Sequence, residues 1–512
     1  MDSIEISIFK NMFQSISDEM GEILRLSALS PNIRERMDFS CALFTVSGES
    51  FAFGSHIPVH LGAMPMSVQE VLDNHKPGDG DTIMLNDPFK GGTHLPDITM
   101  VSPVYINNKP EFYVANRAHH SDVGGMQAGS MPLASEIFQE GMIIPPVRIT
   151  KKNSINREVL DMLLANVRTP EERKGDILAQ IASNQRGIQR IKEFVEKYGL
   201  KKIKQYSSEL INYTEKLFLN FLKSIPEGEY SGEDILDDDG FGRKNIKIRL
   251  KLTVKKNELI FDFSKSDPQT RGGLNANKAI SFSAVLYVLN TLLRENIPIN
   301  SGVMRPVKLI LKKGSILNPE RSAAMAGGNV ETSQRITDVI FKTLSSALKN
   351  IIPAASQGTM NNISFGIKGS AYYETIGGGA GASPFGNGIS AVHSHMTNSL
   401  NTPVEIIERD YPVLINQYSI RKNSGGLGKF KGGDGIVREY KFLKDMSVSL
   451  LTERRKHPPW GLFGGRDGKT GENILIRKGK KIKLDAKLNL EIRKGDILRI
   501  MTPGGGGYGE KK

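Results

Sequence analysis

The sequence predicts an α+β (mixed), multi-domain fold. Helix-spaced and strand-spaced apolar patterns occur in the same chain. Its 512 residues, 39% of them hydrophobic, exceed what one compact core holds. Glycine becomes dense only beyond residue 350. Limits are therefore expected near 225 and 350. They separate an N-terminal mixed helix and strand region (1–225), a central β-hairpin and helix region (226–350) and a glycine-rich, β-rich C-terminal region (351–512).

The first element reads as a helix, because Phe9, Met12, Phe13, Ile16, Met20, Ile23 and Leu24 recur at three- and four-residue steps. It ends near Ser30-Pro31, where proline turns its predecessor away from helix. Short strands and turns follow from Phe39 to about Val114. A second long helix is expected over about Lys201 to Leu222, with Ile203, Tyr206, Leu210, Leu217 and Phe221 on one face and Pro226 and Gly228 beyond its end. Ile246, Ile248, Leu250, Leu252 and Val254 alternate as in a strand. The turn Lys255-Lys256-Asn257 then leads to Leu259–Phe263, a hairpin. The apolar stretch Ala279–Leu293 predicts a buried helix, and another runs from near Glu331 to Leu348. The C-terminal region reads as short strands and tight turns ending in Gly504-Gly505-Gly506-Gly507.

The formal net charge is +13. Lys247, Arg249, Lys251, Lys255 and Lys256 show how the basic residues scatter along amphipathic segments rather than gathering with aromatics, so no nucleic acid is expected. A solvated lysine-rich surface is the plain reading, an acidic partner protein the next. The single cysteine, Cys41, excludes an intrachain disulfide, reads as a small buried hydrophobe and points to a reducing compartment, the cytoplasm. Asp2 and Glu5 are unlike the start of a secretory signal, and no stretch of 18 apolar residues predicts a membrane span.

The chemistry concentrates between Asn86 and Asp122: Asn86-Asp87-Pro88, Gly91-Gly92-Thr93-His94-Leu95-Pro96-Asp97 and Asn116-Arg117-Ala118-His119-His120-Ser121-Asp122. The intervening Ile98–Ala115 is long enough for a hairpin that would return the second group beside the first. Imidazole and carboxylate together suit Mn²⁺, Zn²⁺ or Fe²⁺, and no thiolate favours a structural zinc. Spacing alone equally allows Asp87 and Asp97 to cap turns beside Pro88 and Pro96, with the histidines as core residues. A second cluster follows Gly327-Gly328: Asn329, Glu331 and Arg335 open a helix, where an anion or ordinary capping is expected. A third combines Gly377-Gly378-Gly379 with His393 and His395, which either bind metal or pair with Glu374 or Glu405. No phosphate-loop lysine follows any glycine run. The terminal glycines are expected to pack tightly against another chain or domain.

These segments resemble the hydantoinase B family, which includes N-methylhydantoinase B subunits, the C-terminal half of 5-oxoprolinases and B-like subunits of acetone and acetophenone carboxylases. The likeness begins at Ser30–Arg36 and His56–Met64 and takes in the histidine-rich runs above. It continues through Ser135–Gly141, Ile144-Pro145-Pro146, Glu331–Arg335, Ser424-Gly425-Gly426, Pro458–Gly461 and the glycine tail. The resemblance implies an A-type partner that binds ATP and phosphorylates a substrate carbonyl or enol oxygen, in a hetero-oligomer without which this chain is inactive on a cyclic amide. It also implies a histidine- and aspartate-ligated divalent metal, Mn²⁺ or Zn²⁺, as in acetone carboxylase. Carried over, the candidate ligands are Asp87, His94 and one of His119 and His120, with Asp97 and Asp122 as supporting or alternative ligands.

Ring opening of a hydantoin or 5-oxoproline is then expected to use the metal to activate water or polarise the phosphorylated carbon. His60, His119 or His120 would serve as general base, and Asn329, Glu331 and Arg335 would bind substrate or phosphate. Two alternatives remain: a carboxylase subunit joining bicarbonate-derived CO₂ to an enol phosphate, and a non-catalytic scaffold for the A-type subunit.

Overall fold

A computed structural model describes residues 3–54, 57–293, 297–367 and 369–511. Ser55 and His56, the latter heading one family-like stretch, lie outside the described residues. The chain opens with helices α1 (Ser3–Ser27) and α2 (Pro31–Arg34). Strands β1 (Phe39–Thr45), β2 (Ser50–Gly54), β3 (Thr82–Leu85), β4 (Asp97–Ile106), β5 (Lys109–His119), β6 (Val147–Lys151) and β7 (Ser154–Ile155) form one antiparallel sheet, ordered β2-β1-β5-β4-β3-β6-β7. Helix α3 (Ala63–Asn74) packs near β4 and β5, and α4 (Arg157–Leu164) follows the sheet. The apolar stripe read on α1 is buried: Phe9, Phe13, Ile16, Met20 and Leu24 face the sheet and its neighbours.

Helix α5 (Pro170–Tyr198) adds to the helices expected from the sequence. Its buried face mixes apolar side chains such as Ile177, Ile181, Ile191 and Phe194 with the polar ones of Arg173, Asp176, Gln180, Ser183 and Asn184. These amides lie across β4 and β5. Asn116 Nδ2 donates to Gln180 O (2.7 Å) and Asn184 Oδ1 (2.8 Å), while Gln180 Nε2 donates to Ile98 O (2.9 Å) and Asn116 Oδ1 (2.8 Å). Asn184 Nδ2 reaches Met100 O and Ser102 Oγ. Because the network pairs its buried polar groups internally, a polar helix face can serve as a core face.

Helix α6 (Leu200–Leu222) matches the expected second helix. A second sheet holds β8 (Gly228–Asp238), β9 (Lys244–Lys255), β10 (Glu258–Asp262) and β11 (Val307–Ile310), ordered β11-β10-β9-β8. The expected hairpin appears as β9 and β10. Helix α7 (Lys278–Leu292) is buried as its sequence predicts. The helix read from Glu331 begins differently: Gly328–Thr332 forms a π-helical turn that continues into α8 (Ser333–Leu344). π-helical turns are rare and frequently stand at functional sites.

The last segment contains β12 (Asn362–Ile367), β13 (Ser370–Glu374), α9 (Val404–Asp410), β14 (Val413–Arg421), β15 (Gly435–Phe442), β16 (Met446–Leu451), β17 (Glu472–Arg477), β18 (Lys480–Leu484), β19 (Lys487–Ile492) and β20 (Ile497–Met501). They make two sheets, β13-β12-β16-β19 and β14-β15-β20-β17-β18. Residue 225 falls between α6 and β8, and residue 350 between α8 and β12. The largest apolar cluster nevertheless runs through all three segments, joining Phe44 and Tyr113 to Phe261 and Val288 and on to Ile340 and Leu451.

The glycine runs pack backbone on backbone within this chain. Gly433 N donates to Ala380 O (2.8 Å), Gly505 N to Gly433 O (2.9 Å), Gly426 N to Gly505 O (2.8 Å) and Gly506 N to Ala355 O (2.8 Å). A Cβ on Gly505 would lie 2.0 Å from Ala380 O, and one on Gly432 would lie 2.0 Å from Gly505 O. Only residues without a side chain allow so close an approach.

Candidate metal centre

Strands β4 and β5 are the hairpin that the sequence predicts, and their register sets Asp97 directly opposite His119. Opposed residues of an antiparallel pair project to the same face, so this register brings the two side chains together. His94 arrives from the turn three residues before Asp97. Its Nε2 lies 2.9 Å from Asp97 Oδ1, and His119 Nδ1 lies 3.1 Å from the same oxygen. His94, Asp97 and His119 each offer a ligand atom, and these atoms all lie within 4.8 Å of one another. All three residues are buried.

Three further side chains close the other carboxylate oxygen. Thr93 Oγ1 donates to Asp97 Oδ2 at 2.7 Å. His60 Nε2 lies 3.4 Å from it, carried there by the 3-10 turn Pro58–His60, and its Nδ1 is 3.0 Å from Ser40 Oγ. Asn329 Nδ2 reaches Oδ2 from the π-helical turn at 3.4 Å. Burial works to raise Asp97, but His94, His119 and His60 hold it well below the usual carboxylate range. Burial lowers His119, only partly offset by Asp97, which favours the neutral imidazole that a metal requires.

Among the described residues, several polar atoms here have no hydrogen-bond partner: both ring nitrogens of His94, Nε2 of His119 and Oδ1 of Asn329. His94 Nε2 is near Asp97 Oδ1 without the alignment of a hydrogen bond. A buried polar atom left unpaired costs about 1–3 kcal/mol. Two imidazoles and a carboxylate gathered this closely, with imidazole nitrogens left over, form a donor set that a divalent cation would satisfy.

The remaining candidates stand elsewhere. Asp87 is outside this cluster, its Oδ1 accepting the Phe89 N–H (2.9 Å) inside the turn. His120, next to His119, faces α5 instead, with Nε2 3.0 Å from Gln180 Oε1. Burial, then Arg173, lowers it to about 4. Asp122 pairs with Arg168 (2.9 Å) and accepts the Gly124 N–H. Arg335 is fully buried, and protein carboxylates match its charge: Asp234 and Glu453, each at 3.4 Å. Glu331 Oε1 accepts from Met360 N (3.1 Å) and Asn362 Nδ2 (2.6 Å), while burial pushes its carboxyl up to about 8. His395 meets Asp338 at 3.7 Å rather than Glu374 or Glu405.

Tyr373 heads into the glycine run at 377, but nothing in the sequence pairs it with His119, on which its ring stacks with centroids 4.5 Å apart. Arg36 lies 5.1 Å from the same ring and donates to Tyr373 O, which fixes the plate behind His119. The Ser30–Arg36 stretch is visible as a family-like run, but nothing in it tells that Arg36 reaches a tyrosine more than three hundred residues away.

A family model described as Hydantoinase B/oxoprolinase matches residues 2–511. The 5-oxoprolinase 1 of Arabidopsis thaliana is 42% identical over 99% of this chain, which spans 42% of that protein. The chain thus covers about two-fifths of the length of the 5-oxoprolinases it matches. A putative D-/L-hydantoinase B-type subunit from Pseudomonas sp. strain NS671 is 31% identical over 99% of this chain and 90% of its own length. Among solved structures, the ATP-dependent caprolactamase from Pseudomonas jessenii gives a TM-score of 0.93 at 25% identity, covering 100% of this chain and 91% of that one. A nucleotide-free acetone carboxylase gives 0.91 at 18% identity over 99% and 76%, a likeness of fold alone. With a match along almost its entire length, the chain belongs to the Hydantoinase B/oxoprolinase family.

Proposed function

We propose that this chain is the B-type component of an ATP-dependent cyclic-amide hydrolase, working with an A-type subunit that binds ATP and phosphorylates the substrate. The observation that carries the reading is the gathering of His94, Asp97 and His119 ligand atoms within 4.8 Å, with both His94 nitrogens and His119 Nε2 left unpaired among the described residues, in a member of this family. His94, Asp97 and His119 would hold one divalent cation, Mn²⁺ or Zn²⁺. When bound, such an ion supplies Lewis-acid polarisation and lowers the pKa of water. Asp87, His120 and Asp122 have other partners and are not assigned to it.

The chain's own residues divide the remaining work. Asp97 gathers three imidazoles on one carboxylate, and Thr93 and Asn329 fix its second oxygen. Tyr373, stacked on His119, holds that ring in plane and excludes water behind it. His60, its Nδ1 beside Ser40, is the group we assign to accept the proton of the attacking water. Arg335, already matched by Asp234 and Glu453, is not assigned to phosphate. The test is elemental analysis of the chain co-purified with its A-type neighbour. About one divalent metal per chain and ATP-dependent ring opening are expected; a pair that opens lactams with no metal present would overturn the assignment.

A further inference from the structure

The turn that carries His94 to Asp97 is held from outside by a residue of the central region. Asn277, 6% exposed, caps the N-terminus of α7: its Oδ1 accepts the Ile280 N–H at 3.0 Å. That donor fixes which end of the amide is oxygen, so the nitrogen is turned the other way. There Nδ2 donates to Pro88 O at 2.7 Å and to Gly92 O at 2.8 Å. Both amide hydrogens thus go to one short turn, and Gly92 is followed directly by Thr93 and His94. A cap needs only the oxygen of Asn277, since aspartate and serine cap a helix about as well. The nitrogen does something else.

Within the turn, the Lys90 and Gly92 N–H groups both donate to Asp87 O at 3.0 Å. Asn277 adds the two carbonyls, tying the turn to the buried helix α7. The same segment reaches the other side of the centre. Leu274 O accepts from Thr332 Oγ1, and Gly273 O from Gly328 N at 2.8 Å, both on the π-helical turn that carries Asn329. Thr93 and Asn329 both donate to Asp97 Oδ2. The strap from Gly273 to Asn277 therefore spans the two arms that close this oxygen.

We infer that Asn277 is a positioning residue of the metal centre: through Pro88 O and Gly92 O it fixes the turn that aims Thr93 and His94 at Asp97. The inference rests on the assignment of a divalent cation to His94, Asp97 and His119, and adds what holds His94 in place before an ion arrives. A ligand already in place loses less freedom on binding. Slackening the turn therefore weakens metal binding even though every ligand remains.

Asn277→Ser and Asn277→Asp both keep an oxygen for the Ile280 N–H and remove both amide donors. The full-length chains, stripped with a chelator, are titrated calorimetrically with Zn²⁺ and with Mn²⁺. Amide hydrogen exchange is followed without metal over residues 86–95 and over α7. Each variant is expected to bind the ions at least about tenfold more weakly than the unmodified chain. Exchange over 86–95 should be at least about tenfold faster, with α7 unchanged. Unchanged metal affinity in the folded variants would overturn the inference. So would exchange that rises in α7 but not in the turn, the signature of a cap alone. Failure of both variants to fold would make Asn277 a residue of the fold and overturn it as well. If the unmodified chain takes up neither ion, the cation assignment fails, and the exchange measurement alone decides whether Asn277 holds the turn.

Discussion

The hairpin at Asp97 and the glycine lattice around Gly505 solve opposite problems. In the hairpin, side chains from β4, β5 and two turns converge on one carboxylate, and polar atoms are left free. In the lattice, side chains are absent and backbone meets backbone, with N–H and C=O groups paired between distant segments. The first region keeps polar capacity for something that binds; the second keeps very little. Substitutions should therefore change binding in one and folding in the other.

The largest effect is expected in the lattice. Gly505→Ala places a methyl 2.0 Å from a backbone oxygen that cannot move aside alone. It should cost more than about 4 kcal/mol and leave little folded protein. Urea unfolding with a midpoint close to the unmodified chain would break the contrast. In the hairpin, His94→Ala should leave the fold and abolish metal uptake. Activity of the assembled pair should then fall by more than the roughly 10–100-fold typical of losing an outer metal partner. Metal retained at full stoichiometry in that variant would remove His94 from the site.

Between these extremes lies the amide network under α5. Gln180→Leu strips partners from Asn116, Ile98 O and His120 together. A loss of about 2–4 kcal/mol is expected in equilibrium unfolding, with metal content unchanged. Loss of metal at unchanged stability would show that the network tunes the site rather than supporting the sheet.

A pH-dependent effect concerns Glu140, remote from both regions in sequence. Its Oε1 accepts from Met325 N and Ala326 N, and burial pushes the carboxyl up to about 8. The folded state thus keeps a proton that the unfolded chain releases near 4.5. This contribution is complete below pH 4.5 and is lost as pH rises toward 8. Glu140→Gln, neutral at every pH, should gain melting temperature relative to the unmodified chain between pH 6 and 9. Parallel curves over that range would show that the carboxyl ionises freely.

Side-chain chemistry made the hairpin legible in the sequence, since histidines and aspartates grouped around a strand-like stretch. Which aspartate faces the histidines was not legible. Asp87 and Asp97 both stand beside a proline, Pro88 and Pro96, and only the register pairing Asp97 with His119 separates them. His119 and His120 are likewise divided by the strand's end, one toward Asp97 and one toward Gln180. Helices α1, α6 and α7 were legible because their buried faces are apolar. Helix α5 was not, because Gln180, Ser183 and Asn184 interleave with Ile177, Ile181 and Ile191 on its buried face. The π-helical turn at Asn329 left no pattern, as its sequence reads equally as the first turn of an ordinary helix. The glycine runs announced close packing, but their partners are other glycine segments of this chain.

The strand order β14-β15-β20-β17-β18 has a consequence for how the chain is made. β20 lies at the centre of its sheet, paired with β15 on one side and β17 on the other. A ribosome delivers both neighbours before it delivers the strand that joins them. Until β20 emerges, β15 and β17 each present an unpaired edge, the state in which strands capture foreign chains. The glycine run after β20 then threads among segments already made. The nascent chain must therefore hold this sheet open until its final strand arrives, and a holding chaperone has most to protect in that interval.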